Sequence, residues 1–157
     1  KIKLGCAGKV VSAFDIARML ALGADWCNSA RGFMFALGCI QSQSCHTGHC
    51  PTGVATQDPQ RARALVVETK ADRVFNFHES TLHALKELVQ AAGLMHPSDL
   101  TADHIVRRNS EQAVKLLANL LPFAKPGELL RGEPTQQVFR MYWPMAQAAS
   151  FAVQHPS

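Results

Sequence analysis

No stretch of 18 consecutive apolar residues occurs in the 157-residue chain, so it carries no transmembrane helix. The opening Lys1-Ile2-Lys3-Leu4 has neither the apolar core nor the small-residue cleavage site of a secretory signal. An initiator Met is also missing. The start reads as a strand that continues upstream sequence, and the chain is expected to be one end of a longer, cytoplasmic protein. Runs of one charge are lacking as well: 16 Lys and Arg stand against 12 Asp and Glu, and the net +4 is scattered, which argues against bulk nucleic-acid binding. Glycine (10) and proline (8) are too few and too aperiodic for a collagen-like or low-complexity chain, and no internal repeat is present. Cysteine comes to five, an odd number, and without a secretory signal this disfavours a disulfide framework.

What remains, 47% hydrophobic and 18% charged residues, is ordinary globular composition. A free-standing domain of this length buries roughly 68–70% of its unfolded surface, enough for a core without staples. Residues 2–4 read as a strand, followed by a loop of small residues, Gly5 to Gly8. Ser12, with Asp15 three residues on, marks a capped helix that runs to Gly23, and residues 24–30 read as a second buried strand. That unit is expected to be parallel and right-handed. Residues 32–60 read as loop. A long amphipathic helix is expected from Thr69 to Ala92, its stripe formed by Val74, Phe77, Leu82, Leu85, Leu88 and Val89, with Gly93 ending it. Short helices over residues 97–100 and 101–106 follow, then a helix over 110–121 halted by Pro122. A punctuated tail is expected to be anchored by Phe139, Tyr142 and Trp143. The fold class is therefore α/β, with the segment mainly α-helical.

Two constellations carry chemistry. Cys39, Cys45 and Cys50 stand at C-x5-C-x4-C-P spacing in a polar, glycine-containing loop unsuited to burying them as core residues. Three thiolates converging on a soft centre suit an iron–sulfur cluster, and three rather than four ligands favour a cluster lacking one iron. Zinc held by these thiols with His46 or His49 is an alternative, although structural zinc sites favour closer cysteine pairs, and a loop without metal is another. Cys6 and Cys27 read as inert core thiols. The second constellation is Gly5-Cys6-Ala7-Gly8-Lys9 after the first strand with Ser29-Ala30-Arg31-Gly32 after the next. In (β/α)8 barrels the loops after the last two strands often form a joint phosphate site; two plain turns with a structural Arg31 are the other reading.

Gly23-Ala24-Asp25, Ala36-Leu37-Gly38-Cys39, Cys45-His46, Cys50-Pro51 and Gly53-Val54-Ala55-Thr56-Gln57 together resemble the end of the FMN-binding synthase domain of glutamate synthase and the single-domain, glutamate-synthase-like FMN proteins. The likeness runs from residue 1 to about residue 100 and more thinly to the end. It implies the last two β/α units of a TIM barrel over residues 1–93, with a helical extension over 94–157. It implies FMN and a [3Fe-4S] cluster, with Cys39, Cys45 and Cys50 as cluster ligands. Gly8 and Lys9 fall where the family has a glycine pair on the FMN phosphate, and Ala30 and Arg31 where a glycine and a small residue complete that site. Three of these four depart from the family pattern, so backbone amides, or the Lys9 and Arg31 side chains, are expected to hold the phosphate.

The resemblance also implies an oxidoreductase that reduces 2-iminoglutarate, formed from 2-oxoglutarate and ammonia or glutamine-derived nitrogen. Its electrons would come from a donor such as reduced ferredoxin or an NAD(P)H-dependent subunit. The substrate-binding strands lie upstream, so no catalytic acid or base is assigned. A non-catalytic zinc module, or one binding a partner or nucleic acid through Arg61, Arg63, Arg107 and Arg108, is the rival reading. Two strands cannot close an eight-stranded barrel, so the isolated segment is expected to be inactive and to self-associate.

Overall fold

The computed structural model describes residues 2–152 and divides into two compact units, Lys1–His104 and Ile105–Ser157. The first is α/β. Strand β1 (Gly5–Ala7), helix α1 (Ala13–Ala21), strand β2 (Trp26–Asn28) and helix α2 (Ala30–Leu37) follow one another, and after a long loop come α3 (Pro59–Ala62) and α4 (Val67–Ala91). β1 and β2 pair in parallel, Cys6 opposite Cys27, so the expected strand-helix-strand unit is present. They form a two-stranded sheet, with Trp26 and Leu4 exposed beside it.

The strand positions differ from expectation by three residues. Pairing falls on the small residues Gly5 to Ala7 because Trp26 lies across Gly5: a Cβ there would stand 2.6 Å from the indole ring. Asp25 fixes the entry to the pair. Its carboxylate accepts from the Leu4 N–H (2.8 Å) and pairs with Lys3 Nζ (2.6 Å), while its own N–H donates to the Leu4 carbonyl (2.7 Å). The second strand is shorter than residues 24–30, because Ala30 already opens α2, and the region expected to be loop from residue 32 begins as helix. Gly38 ends α2 in the left-handed conformation.

Helix α1 begins at a complete capping box. The Asp15 N–H donates to Ser12 Oγ (3.2 Å) and the Asp15 carboxylate accepts from the Ser12 N–H (2.9 Å) and hydroxyl (2.9 Å). Its buried stripe is Ala13, Ala17 and Ala21, small enough to let α1 approach α4, which presents buried Leu85 and Val89. Helix α4 starts two residues earlier than expected, and Leu82, assigned to its stripe, is exposed while Thr81 is half-buried and donates to the Phe77 carbonyl (2.7 Å). α2 packs on the N-terminal half of α4 through Phe33 and Phe77, edge to face at 5.2 Å. Single 3-10 turns, Pro97–Asp99 and Ala102–His104, complete this unit with buried Leu100 and Ala102.

Ser12→Ala is expected to cost about 0.5–2 kcal/mol, read as a lower urea midpoint of the full-length protein. The Ser12 backbone N–H, ahead of the Ser12 hydroxyl and the Val11 N–H, holds the Asp15 carboxyl below its ordinary value of 3.8. A depressed carboxylate stabilises the fold fully above the unfolded value, and this contribution is lost as pH falls through the folded one. The midpoint difference between wild type and Asp15→Asn should therefore shrink on acidification from about pH 5 to pH 2.

The second unit corrects the expectation of a helix over residues 110–121. Strands β3 (Val106–Arg108) and β4 (Val114–Leu116) form an antiparallel hairpin closed by the Asn109 N–H on the Ala113 carbonyl (2.8 Å). Asn109, Ser110 and Glu111 supply turn chemistry between two β-branched positions, and a single 3-10 turn (Leu117–Asn119) takes up the rest of the expected helix. Helices α5 (Glu128–Arg131) and α6 (Gln137–Tyr142) end the fold. Of the three expected anchors, Trp143 donates its Nε1 proton to the Leu129 carbonyl (3.1 Å), Phe139 is half-buried, and Tyr142 is exposed. Helix far outweighs strand across the described residues, none of whose helices is long and apolar enough to cross a membrane.

Candidate cofactor site

The two loops singled out in the sequence leave adjacent parallel strands, and one hydrogen bond joins them: Ser29 Oγ donates to the buried Val10 carbonyl at 2.8 Å. Ser29 occupies the N-cap position of α2 but does not cap it, since its hydroxyl is committed to Val10. The first turn of α2, which includes Ala30 and Arg31, therefore has no capping side chain. Gly8 and Lys9 both hold positive φ, +107° and +55°, at the head of the other loop, and both are exposed, as are Ala30 and Arg31. Gly8 and Lys9 thus lie in the loop after β1 and Ala30 and Arg31 in the first turn of α2, at the same ends of β1 and β2. The sequence pattern alone assigns Ser29 no role. The signal available was its position, a hydroxyl at the first residue after a strand.

Among the described residues, three other than glycine have positive φ: Lys9, Gln41 and Gln43. Each costs roughly 1–2 kcal/mol relative to ordinary backbone, and all three fall in the two chemically marked loops. Strain of this kind persists only where surrounding structure imposes it. Gln41 and Gln43 flank a cavity of about 330 Å³ whose wall also contains Cys39, Cys45, Arg31, Met34 and Phe35. Two of the three loop cysteines therefore share one cavity with Arg31.

Cys50 is placed apart from that cavity and is buried, facing its own turn. Its sulfur lies 3.5 Å from Thr52 Oγ1, and the Thr52 hydroxyl, ahead of the backbone N–H groups of Ala55, Thr52 and Val54, brings the thiol down to about 7. Such a ring of donors favours the thiolate, the form that binds soft metals. Gly53 makes this turn possible: its φ is +76°, and a Cβ would stand 2.3 Å from the Arg61 carbonyl oxygen. Around it the loop is stapled by hydroxyls, Thr56 to the Gly48 carbonyl and Thr47 to the Ser44 carbonyl (2.7 Å), with Asp58 capping α3 through the Gln60 N–H (2.8 Å).

Among the described residues, no three His, Cys, Asp or Glu side chains stand close enough to hold an ion together. His46 and His49 are both exposed. In donor type the three thiols suit an iron–sulfur centre, but the structure does not bring them together: Cys39 and Cys45 line one cavity and Cys50 lies outside it. Cys6 and Cys27 are half-buried neighbours across the sheet, and burial, with the nearby Cys6, pushes the Cys27 thiol up. This pair is unlike Cys50 and suits inert thiols. Arg61 pairs with Asp58 (3.4 Å) and Arg108 donates to the Glu111 carbonyl (3.2 Å), so two of the four arginines of the rival reading have local partners.

Residues 1–95, which include both tied loops and all three loop cysteines, match the conserved region in glutamate synthase. The chain belongs to the glutamate synthase family. Similar proteins include the glutamate synthase large subunit-like protein YerD of Bacillus subtilis, 42% identical over 121 residues, covering 77% of this chain and 23% of that protein. An archaeal glutamate synthase (NADPH) of Methanocaldococcus jannaschii is 37% identical over 94 residues, 60% of this chain and 18% of the relative. The glutamate synthase (NADH) of Saccharomyces cerevisiae is 26% identical over 132 residues, 82% of this chain and 6% of the relative. This glutamate synthase family chain thus spans less than a quarter of the length of the relatives it matches.

Proposed function

We propose that the chain is the cofactor-holding end of a glutamate synthase-like flavoenzyme. In this reading β1 and β2 are the last two strands of a (β/α)8 barrel, the FMN phosphate lies between the loops that follow them, and Cys39, Cys45 and Cys50 bind a [3Fe-4S] cluster. The observation that carries it is the Ser29–Val10 bond, which ties two small-residue loops at the ends of adjacent parallel strands, with the cysteine loop starting where α2 stops. That is the position at which barrels of this kind place phosphate.

Gly8 and the backbone of Lys9 would receive the phosphate from one side, and the free first-turn amides of Ala30 and Arg31 from the other. Lys9 and Arg31, standing where smaller residues are expected, add the charge complement of a phosphate dianion. When bound, FMN and the cluster supply the electron pair that reduces the C=N bond of 2-iminoglutarate to glutamate. The chain's own residues position these groups: α2 joins the phosphate loop at its N-terminus to Cys39 just past its C-terminus, so a single rigid helix fixes the span between the two sites. Relatives named for NADPH and NADH support an electron supply that begins with a nicotinamide, delivered by a partner subunit. No proton transfer is assigned to this chain.

The test is composition of the full-length protein prepared without oxygen. Iron, acid-labile sulfide and FMN are expected together. Cys39→Ser, Cys45→Ser and Cys50→Ser should each lose most of the iron while keeping FMN. Zinc in place of iron, or a colourless preparation with neither, would overturn the reading.

A further inference from the structure

We propose that the β3–β4 hairpin is a docking edge for an acidic protein segment, which adds to it as an extended strand with alternating carboxylate and apolar side chains. The basis is the register. Arg107 stands directly opposite Lys115, so the two cations project from one face of the pair, while Val106, Leu116 and Val114 project from the other with Arg108. All three residues of each strand are exposed. Residues opposed in this way have Cβ atoms about 4.5–5.5 Å apart, and like charges there are destabilising. Among the described residues neither the Arg107 nor the Lys115 side chain has a hydrogen-bond or ion-pair partner, and Arg108 reaches only the Glu111 carbonyl (3.2 Å). A two-stranded hairpin is marginal by itself, so a repulsive pair at its centre is a cost that no described residue offsets. An acidic segment offsets it.

Charge sets the sign of the partner, and the hairpin sets its form. β3 and β4 make a sheet of their own, and neither outer edge pairs with a further strand among the described residues. An extended segment can therefore take up main-chain hydrogen bonds along an edge, its alternate side chains falling on the two faces. Its carboxylates then meet Arg107 or Lys115, and its apolar side chains meet Val106, Val114 and Leu116. A nucleic acid fits less well. Residues 105–121 contain no aromatic side chain on which a base could stack, and the three cations of the hairpin are few for a phosphate backbone.

The experiment is fluorescence anisotropy of a labelled peptide of alternating Glu and Val with the full-length protein, using an alternating Lys–Val peptide as the opposite-charge probe and oligouridine and phosphatidylserine vesicles as competitors at the same ionic strength. The Glu–Val peptide is expected to bind, the Lys–Val peptide not to, and neither competitor to displace the first. Arg107→Glu/Lys115→Glu should weaken Glu–Val binding about tenfold or more and take up the Lys–Val peptide instead. Lys86→Glu/Lys125→Glu makes the same change of net charge at exposed lysines outside the hairpin and should bind like wild type. Arg107→Glu alone separates docking from folding: it sets unlike charges opposite each other, so the unfolding temperature should rise while peptide affinity falls. A fall in both would mark the pair as structural and overturn the proposal. So would undiminished affinity in Arg107→Glu/Lys115→Glu, an equal loss in Lys86→Glu/Lys125→Glu, displacement by oligouridine or vesicles, or a wild-type protein that does not bind the Glu–Val peptide. None of these outcomes bears on the FMN and cluster reading, which iron, sulfide and flavin analysis tests separately.

Discussion

Gly53→Ala in the full-length protein is expected to destabilise it by about 2–5 kcal/mol and to remove most of its iron. At φ +76° an alanine is strained by roughly 1–2 kcal/mol whatever surrounds it. The larger part comes from position: the new Cβ would stand 2.3 Å from the Arg61 carbonyl oxygen, which is backbone and cannot swing aside like a side-chain tip. Either α3 moves or the turn opens. Opening it withdraws the amides of Val54 and Ala55 from the Cys50 sulfur, so the damage reaches the proposed ligand directly. Gly48→Ala is the control. Its φ is +74° and nothing stands within 4 Å of its Cβ, so it should show the strain alone, about 1–2 kcal/mol, with iron retained. Thermal unfolding and iron analysis of the two variants side by side check this, and equal losses would show that the Arg61 contact is not what Gly53 serves.

The contrast between these two glycines shows what was legible in the sequence and what was not. The cysteine spacing and the run from Gly53 to Gln57 marked the loop as chemical, but nothing in a string of letters distinguishes a glycine needed for φ from one needed for space. The same holds at β1. A strand was foreseen at residues 2–4 because Ile2 and Leu4 are apolar, whereas pairing falls on Gly5 to Ala7 because the Trp26 ring, 21 residues later, covers that backbone. Local composition cannot report such a partner. Where the signal was local and reciprocal it held: Ser12 and Asp15 form the capping box their spacing implied. The missed hairpin over residues 106–116 has the opposite cause. Val114, Leu117, Leu120 and Leu121 fit a helical period, yet the polar turn at residues 109–113 and the strand propensity of Val106 and Val114 prevail once the ends can pair.

For the proposed phosphate site the sequence singles out two segments but cannot show that they are joined, as the Ser29–Val10 bond joins them, and Gly32 is where that contact can be tested. Gly32→Ala is expected to weaken FMN binding about tenfold, or about 1.4 kcal/mol, in the full-length protein. A Cβ at Gly32 would stand 2.8 Å from the Phe77 ring and 2.9 Å from Ser29 Oγ. Phe77 has little freedom to yield, being packed edge to face on Phe33, and Ser29 is held by the Val10 carbonyl. The substitution thus pushes at once on the α2–α4 core and on the bond that ties the two loops. Adding Phe77→Leu separates the two effects. If the loss comes only from the core, the smaller side chain makes room and restores both unfolding temperature and FMN affinity. If displacement of Ser29 carries it, the double variant recovers stability but not affinity, and Ser29→Ala alone reproduces the FMN defect. The second pattern is the expected one, because a methyl group 2.9 Å from a committed hydroxyl is not relieved merely by shortening the Phe77 ring that meets it at 2.8 Å.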